Sequence, residues 1–115
     1  MSLNVEDKGY LWDIMDACND ITNFLNNKTY ESFMNDKLTR FAVERQLLVI
    51  GEASKKLSDS TRQNNNEIQW KRIIGLRNII AHEYGDLLVE RIWKIAKNDI
   101  PILRKQIELI LEDIK

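Results

Sequence analysis

The residues best suited to chemistry in this chain lie within one eight-residue stretch, from Arg77 to Tyr84. The stretch contains an arginine, an asparagine, a tyrosine and His82, which is the single histidine of the sequence. Arginine has a planar guanidinium that binds phosphate and stabilises the charge that develops on it. Histidine titrates near neutral pH and can carry a proton to or from a hydroxyl. We therefore expect any catalysis to take place here.

The spacing of these residues predicts their arrangement on a helix. If one helix continues from Trp70 through Tyr84, steps of about 100° place Arg77 and Tyr84 nearly on one line along it. Asn78 and His82 are four residues apart and form an adjacent line. Arg77 and His82 then diverge by about 140°, which is too wide to bind one ion but suits the two sides of a groove.

Together these side chains suit metal-free cleavage of RNA, in which the ribose 2′-hydroxyl attacks the adjacent phosphate. Asn78 can orient the imidazole or donate to an oxyanion, and Tyr84 can stack on a base or bond a phosphate. With one histidine per chain, either His82 acts alone or two protomers supply an acid and a base. The alternative is that the lone histidine is structural, on a helical domain with an anion site. The residues by themselves leave both open.

Charge and composition limit the classes of function. The 115 residues, 43% hydrophobic and 30% charged, predict one soluble domain over residues 1–115. The net charge of −1 argues against broad nucleic-acid binding, so an anion site must be a local cluster or be assembled by oligomerisation.

Metal sites, cofactors and membranes are not expected. Cys18 is the only cysteine, which leaves no disulfide framework or cysteine-rich metal site, and it suits a small buried hydrophobe better than a nucleophile. One histidine makes a zinc site improbable. No apolar run approaches the ~20 residues that span a bilayer, and the N-terminus lacks a signal peptide's features. We expect a cytoplasmic protein.

Apolar residues recur at steps of three and four, which predicts an all-α fold, an antiparallel bundle of four to five helices. The helices are expected at about 7–26, at 37–57 and from 66 or 67 through the motif, followed by one that Asp86 caps and one whose first turn contains Pro101. A short turn of helix is expected at 30–34 and a loop at 58–67. The predicted inward residues are Leu11, Ile14, Cys18, Ile21 and Leu25; Leu38, Phe41, Ala42, Leu48 and Val49; Val89, Ile92, Trp93 and Ala96; and Ile100, Leu103, Ile107, Ile110 and Ile114.

Two charges, Arg45 and Glu52, fall in the middle of the apolar face predicted for helix 37–57. Buried charges are costly unless they are paired or hydrogen-bonded. They could form a polar bridge that fixes helix register, or they could support the motif. We expect at least one of them to contact the motif helix.

The motif resembles that of the HEPN superfamily, and specifically of the HepT-like ribonuclease toxins. Their hallmark is an arginine, usually followed by a polar residue, then four to six positions, a histidine, any residue and a tyrosine. Arg77, Asn78, His82 and Tyr84 match it, with four residues between the arginine and the histidine.

Other segments extend the resemblance over nearly the whole chain. Ile50-Gly51-Glu52-Ala53 is similar to the family's Ile-Gly-Glu-Ala segment, and 70–76 to its approach to the arginine. Residues 89–93 and 101–103 are similar to its closing helices. These features in this order are far more specific than an isolated arginine and histidine.

The resemblance implies a homodimeric, all-helical ribonuclease with Arg77 and His82 of both subunits lining a cleft, and with RNA, usually tRNA, as substrate. It also implies a partner, an MntA-like minimal nucleotidyltransferase antitoxin that transfers AMP to Tyr84. On the predicted helix, AMP on Tyr84 would occupy the arginine that holds RNA phosphate. The alternative is a non-catalytic helical module that captures a nucleotide or a nucleotidyltransferase partner.

Overall fold

Helices account for most of the computed structural model, which describes residues 3–113. This range contains no β-strand, so the all-α prediction is confirmed. The helices are α1 (Val5–Phe24), α2 (Tyr30–Met34), α3 (Lys37–Lys56), α4 (Asp59–Asn64), α5 (Trp70–Ile74), α6 (Leu76–His82), α7 (Gly85–Lys94) and α8 (Ile100–Glu112), with a π-helical turn at Ile95–Asp99 between the last two.

The long helices pack as an antiparallel bundle, as predicted. Asp7, at the start of α1, accepts a hydrogen bond from the amide of Ser58, just after the end of α3. These two helices therefore run in opposite directions. Asn19, late in α1, accepts a hydrogen bond of 2.6 Å from Arg104, early in α8, which makes that pair antiparallel too. The motif-bearing α5 and α6 pack against α3.

Helices α7 and α8 are continuous rather than separate, because the π-helical turn joins them. Within this turn the Ile100 amide donates to the carbonyl of Ile95, five residues back. Pro101 follows in the first turn of α8, as predicted. Proline has no amide hydrogen to donate four residues back, which favours a locally widened helix at this point.

Most predicted inward residues of α1, α7 and α8 are buried, although Trp93 is only half-buried and Ile114 lies outside the described residues. Burial raises the pKa of the Cys18 thiol to about 12. The Cys18 side chain is fully buried in the core, so it is a small core residue, as predicted, and is not accessible as a nucleophile.

The inward face predicted for α3 is wrong. Leu38 and Phe41 are 81% and 51% exposed, and Leu48 is half-buried. The face that packs on the rest of the chain is a different stripe, formed by Val43, Leu47, Ile50 and Ala53. Because α3 carries apolar residues on two faces, periodicity alone did not identify the one that this chain covers.

The stretch predicted to be a loop at 58–67 contains α4, whose start is fixed by a buried carboxylate. Asp7 is 2% exposed and accepts hydrogen bonds from the Ser58 amide at 3.0 Å, from the Ser58 hydroxyl at 2.6 Å and from Thr61. Burial raises the pKa of Asp7, but these hydrogen bonds outweigh it and hold the pKa below its usual value. The ionised carboxylate thus ties the start of α1 to the turn after α3.

We expect Asp7→Asn to lower the free energy of unfolding at pH 7 by about 1–3 kcal/mol, because half-buried Ser58 and buried Thr61 lose a charged acceptor. A depressed folded-state pKa makes this contribution complete above the unfolded-state pKa of about 4, and it is lost as the pH falls through the lower folded-state value. The difference from the parent should therefore shrink in acid. Urea unfolding at pH 7 and pH 3 measures it, with exposed Asp16→Asn on the same helix as the control. An unchanged stability at pH 7 would contradict this role.

Candidate active site

The motif helix is shorter than predicted. Gly75 separates α5 from α6, and α6 ends at His82 rather than continuing through Tyr84. Glu83 and Tyr84 are extended, with φ and ψ of −104° and 154° and of −155° and 174°. Tyr84 therefore leaves the line predicted with Arg77, although Arg77, Asn78 and His82 keep their helical spacing within α6.

Gly85 makes the sharp turn into α7 possible. Its φ of +71° lies in the left-handed region, where a side chain would be strained. Asp86 is not the cap that the sequence predicted, since α7 begins at Gly85 and Asp86 lies within its first turn. There its charge still suits the helix dipole.

Burial divides α6 into two sides, as the sequence predicted. Leu76 is buried, and Ile79 and Ile80 are half-buried against the core. The polar side, Arg77 with Asn78 and His82, is exposed. Three groups that can hold a phosphate and move a proton thus share one accessible surface.

Two anchors position this surface. Trp70 at the start of α5 is buried, and its indole donates to the carbonyl of Asn65 at 3.1 Å. Gly51 of α3 lets α5 approach closely, because a Cβ there would lie 3.2 Å from the carbonyl oxygen of Ile73. The glycine of the Ile-Gly-Glu-Ala segment therefore acts at the contact between α3 and the motif-bearing helices.

Glu83 anchors the extended segment between α6 and α7. The sequence pattern predicted no role for it. Its Oε2 lies 2.6 Å from an Arg91 nitrogen on α7, and within the described residues its buried Oε1 has no hydrogen-bond partner. Successive side chains of an extended segment point to opposite sides. Glu83 accordingly turns inward while Tyr84 is 84% exposed. No spacing rule links Glu83 to Arg91, so the pair could be found only in three dimensions.

The electrostatic surroundings of the motif differ from those of the whole chain. Residues 70–97 contain six Lys or Arg against three Asp or Glu, whereas Val5–Phe24 contains five acidic residues and one lysine. Arg72 pairs with Asp99 at 2.8 Å and Arg91 with Glu83. Arg77 forms no ion pair within residues 3–113, which leaves its guanidinium available to an anion.

Arg45 and Glu52 are placed differently from the prediction. Both are exposed, and they line a shallow groove of about 290 Å³ between α1 and α3 with Tyr10, Asp13 and Lys56. In the described part of the chain no hydrogen bond or ion pair joins either of them to the motif. Their expected burial and contact with the motif helix are wrong, because the α3 face that carries them is not the one packed in this chain.

Arg77, Asn78, His82 and Tyr84 are all exposed in a single chain. A cleft of about 300 Å³ lies between α5 and α8, but Arg77, Asn78, His82 and Tyr84 are not among the residues that line it. Among residues 3–113, no three His, Cys, Asp or Glu side chains are grouped so as to hold a metal ion. No helix in this range is long and apolar enough to cross a membrane.

Comparison with known proteins identifies the family. The family described as "Ribonuclease HepT-like" matches residues 14–110, from α1 to α8 and across the whole motif. The chain belongs to the HepT-like ribonuclease family. The resemblance inferred from the motif is therefore confirmed, and at the level of the family it supports a ribonuclease.

Individual relatives are similar in sequence to this chain over most of their length. "Putative RNase MJ1380" of Methanocaldococcus jannaschii is 38% identical over 90% of this chain and 94% of its own. "Putative RNase MJ1216" of the same organism is 39% identical, over 94% and 89%. "Probable ribonuclease HepT" of Thermococcus cleftensis is 39% identical, over 88% and 92%. No solved structure matches the chain.

Proposed function

We propose that this protein is the ribonuclease toxin of a toxin–antitoxin pair and that it cleaves RNA endonucleolytically without a metal ion. The observation that carries the proposal is the shared exposure of Arg77, Asn78 and His82 on α6 of a HepT-like chain. The alternative, a module that only binds a nucleotide or a nucleotidyltransferase, would use the same surface without changing the RNA.

The reaction is a transesterification followed by release. The ribose 2′-oxygen attacks phosphorus and loses its proton, while the bond from phosphorus to the 5′-oxygen breaks and that oxygen gains a proton. His82 transfers one of these protons as base or acid. Arg77 stabilises the negative charge on the phosphoryl oxygens, and Asn78, one turn before His82, orients the imidazole. The products carry a 2′,3′-cyclic phosphate and a 5′-hydroxyl.

A homodimer completes this proposed site. One chain offers one histidine on an open surface, whereas acid and base are both needed and a cleft excludes water better. Two copies with Arg77 and His82 on facing walls would supply both groups and double the local positive charge. This local positive charge would compensate for the net charge of −1, which is unfavourable for RNA binding.

We propose tRNA as the substrate. The basic character of 70–97 and the acidic character of α1 restrict favourable RNA contact to the motif side of the molecule. The resemblance to the HepT-like ribonucleases, for which tRNA is the usual substrate, supports this choice.

We further propose that Tyr84 is the site at which an MntA-like minimal nucleotidyltransferase antitoxin inhibits the toxin. The Tyr84 hydroxyl attacks the α-phosphate of ATP and loses its proton, and pyrophosphate leaves. Tyr84 suits this role because it is exposed, extended and two residues from His82. The added AMP would place a negatively charged phosphodiester and a nucleoside beside the imidazole, where they compete with RNA.

The proposal is tested by incubating the purified protein with total tRNA in excess EDTA. We expect discrete fragments that end in cyclic phosphate, since the mechanism uses side chains alone. Intact tRNA together with tight binding of the partner nucleotidyltransferase would favour the binding module. Fragments that appear only when a divalent metal is restored would contradict the metal-free mechanism.

A further inference from the structure

Helix α3 carries a second stripe that its own chain leaves open. Leu38, Phe41, Arg45, Leu48 and Glu52 follow one another at alternating steps of three and four residues. This is the spacing of the contact line between two helices in a coiled coil. We call these five residues the outer stripe of α3.

Large apolar side chains are unusually accessible on the outer stripe. Leu38 is 81% exposed and Phe41 is 51% exposed. The folded chain gains nothing from this exposure, because Val43, Leu47 and Ile50 on another face of α3 supply the core contacts. Contiguous exposed apolar groups rimmed by charge are typical of a surface that binds another protein.

The order of charges on the outer stripe makes it complementary to itself. Arg45 and Glu52 lie at equal distances along the helix from the midpoint between Leu48 and Val49. If two copies of α3 cross antiparallel at that midpoint, Arg45 faces the partner's Glu52, and the reverse pair forms by symmetry.

We propose that the outer stripe is the surface through which two copies of this chain associate, as an antiparallel α3 pair centred on Leu48 and Val49. This rests on the homodimer of the proposed function and assigns its contact surface and register. Arg45 and Glu52 then form two pairs between subunits, which gives both residues ionic partners that residues 3–113 of a single chain do not provide.

A second copy explains the stripe better than an unrelated partner does. A partner of one charge sign would leave either Arg45 or Glu52 facing a like charge, whereas an identical stripe in reverse satisfies both. The groove beside the stripe adds Asp13 of α1 and Lys56 of α3, so its charges are mixed as well. Helices α5 and α6 pack on α3 as well, so each motif segment is attached to the helix that forms this interface.

Charge reversal tests the register directly. We expect Arg45→Glu or Glu52→Arg alone to raise the dimer dissociation constant about a hundredfold or more, because each places two like-charge pairs across the interface. The double variant should return it to within about tenfold of the parent, since the pairs reform with exchanged signs. Sedimentation equilibrium of the full chain measures the constant, and circular dichroism verifies folding. Glu112→Arg, the same change on exposed α8, is the control and should leave association unchanged.

The outcomes separate this surface from the proposed reaction. Folded single variants that dimerise like the parent, a double variant that does not recover, or a parent that stays monomeric at high concentration would each overturn the interface. Loss of nucleotidyltransferase binding without any change in self-association would also overturn it, in favour of the antitoxin. A dimer that responds to the charge swaps but leaves tRNA intact would contradict the ribonuclease and keep the interface.

Discussion

His82→Ala is expected to slow tRNA cleavage about a thousandfold, which is the range attributed to a positioned acid or base. The loss should fall on the chemical step, because in the proposed mechanism Arg77 and the surrounding cations bind the RNA while His82 transfers a proton. Single-turnover cleavage with enzyme in excess measures this step separately from binding. Expression of the variant should also cease to arrest growth.

The His82→Ala substitution should not change the stability of the fold, so a loss of cleavage can be assigned to the missing imidazole. The side chain is exposed at the last residue of α6 and forms no hydrogen bond or ion pair within residues 3–113. Unfolding of His82→Ala should therefore match the parent. Asn23→Ala removes an exposed polar side chain from α1, outside the basic region 70–97, and serves as the control. A folded His82→Ala protein that cleaves as fast as the parent would remove His82 from the mechanism.

The predictability of each helix followed from the number of apolar faces that it carries. Helices α1 and α8 each have one dominant apolar stripe, although Trp12, Ile102 and Leu109 lie outside it and are exposed, so spacing identified Ile14, Ile21 and Ile107 as core residues. Helix α3 has two, and the sequence favoured the stripe with Leu38 and Phe41. That error is physically informative, because an amphipathic pattern reports burial without saying whether the covering surface belongs to the same chain.

Polar contacts between residues that are distant in the sequence could not be predicted from it. Asp7 meets Ser58 and Thr61 across more than fifty residues, and Glu83 meets Arg91 only because Gly85 turns the chain between them. Neither contact follows from helical periodicity. The types and order of the motif residues could be recognised in the sequence. The extended segment that separates Tyr84 from the helix could be identified only from the structure.

Tyr84→Phe is expected to abolish inhibition by an AMP-transferring antitoxin while cleavage stays within about threefold of the parent. The substitution removes only the hydroxyl that attacks ATP, and Tyr84 is too exposed for this to disturb packing. The protein should be incubated with the nucleotidyltransferase and labelled ATP, and both label incorporation and residual tRNA cleavage should be measured.

The other tyrosines supply the control for this last experiment, and the outcome distinguishes two forms of inhibition. Tyr10 and Tyr30 are half-buried, so Tyr10→Phe and Tyr30→Phe should still accept label and be silenced. If Tyr84→Phe takes up no label and escapes the antitoxin, the charge placed beside His82 is the cause of inhibition. If it is fully inhibited without label, the antitoxin acts by covering the surface of α6, and the exposure of Tyr84 has no part in regulation.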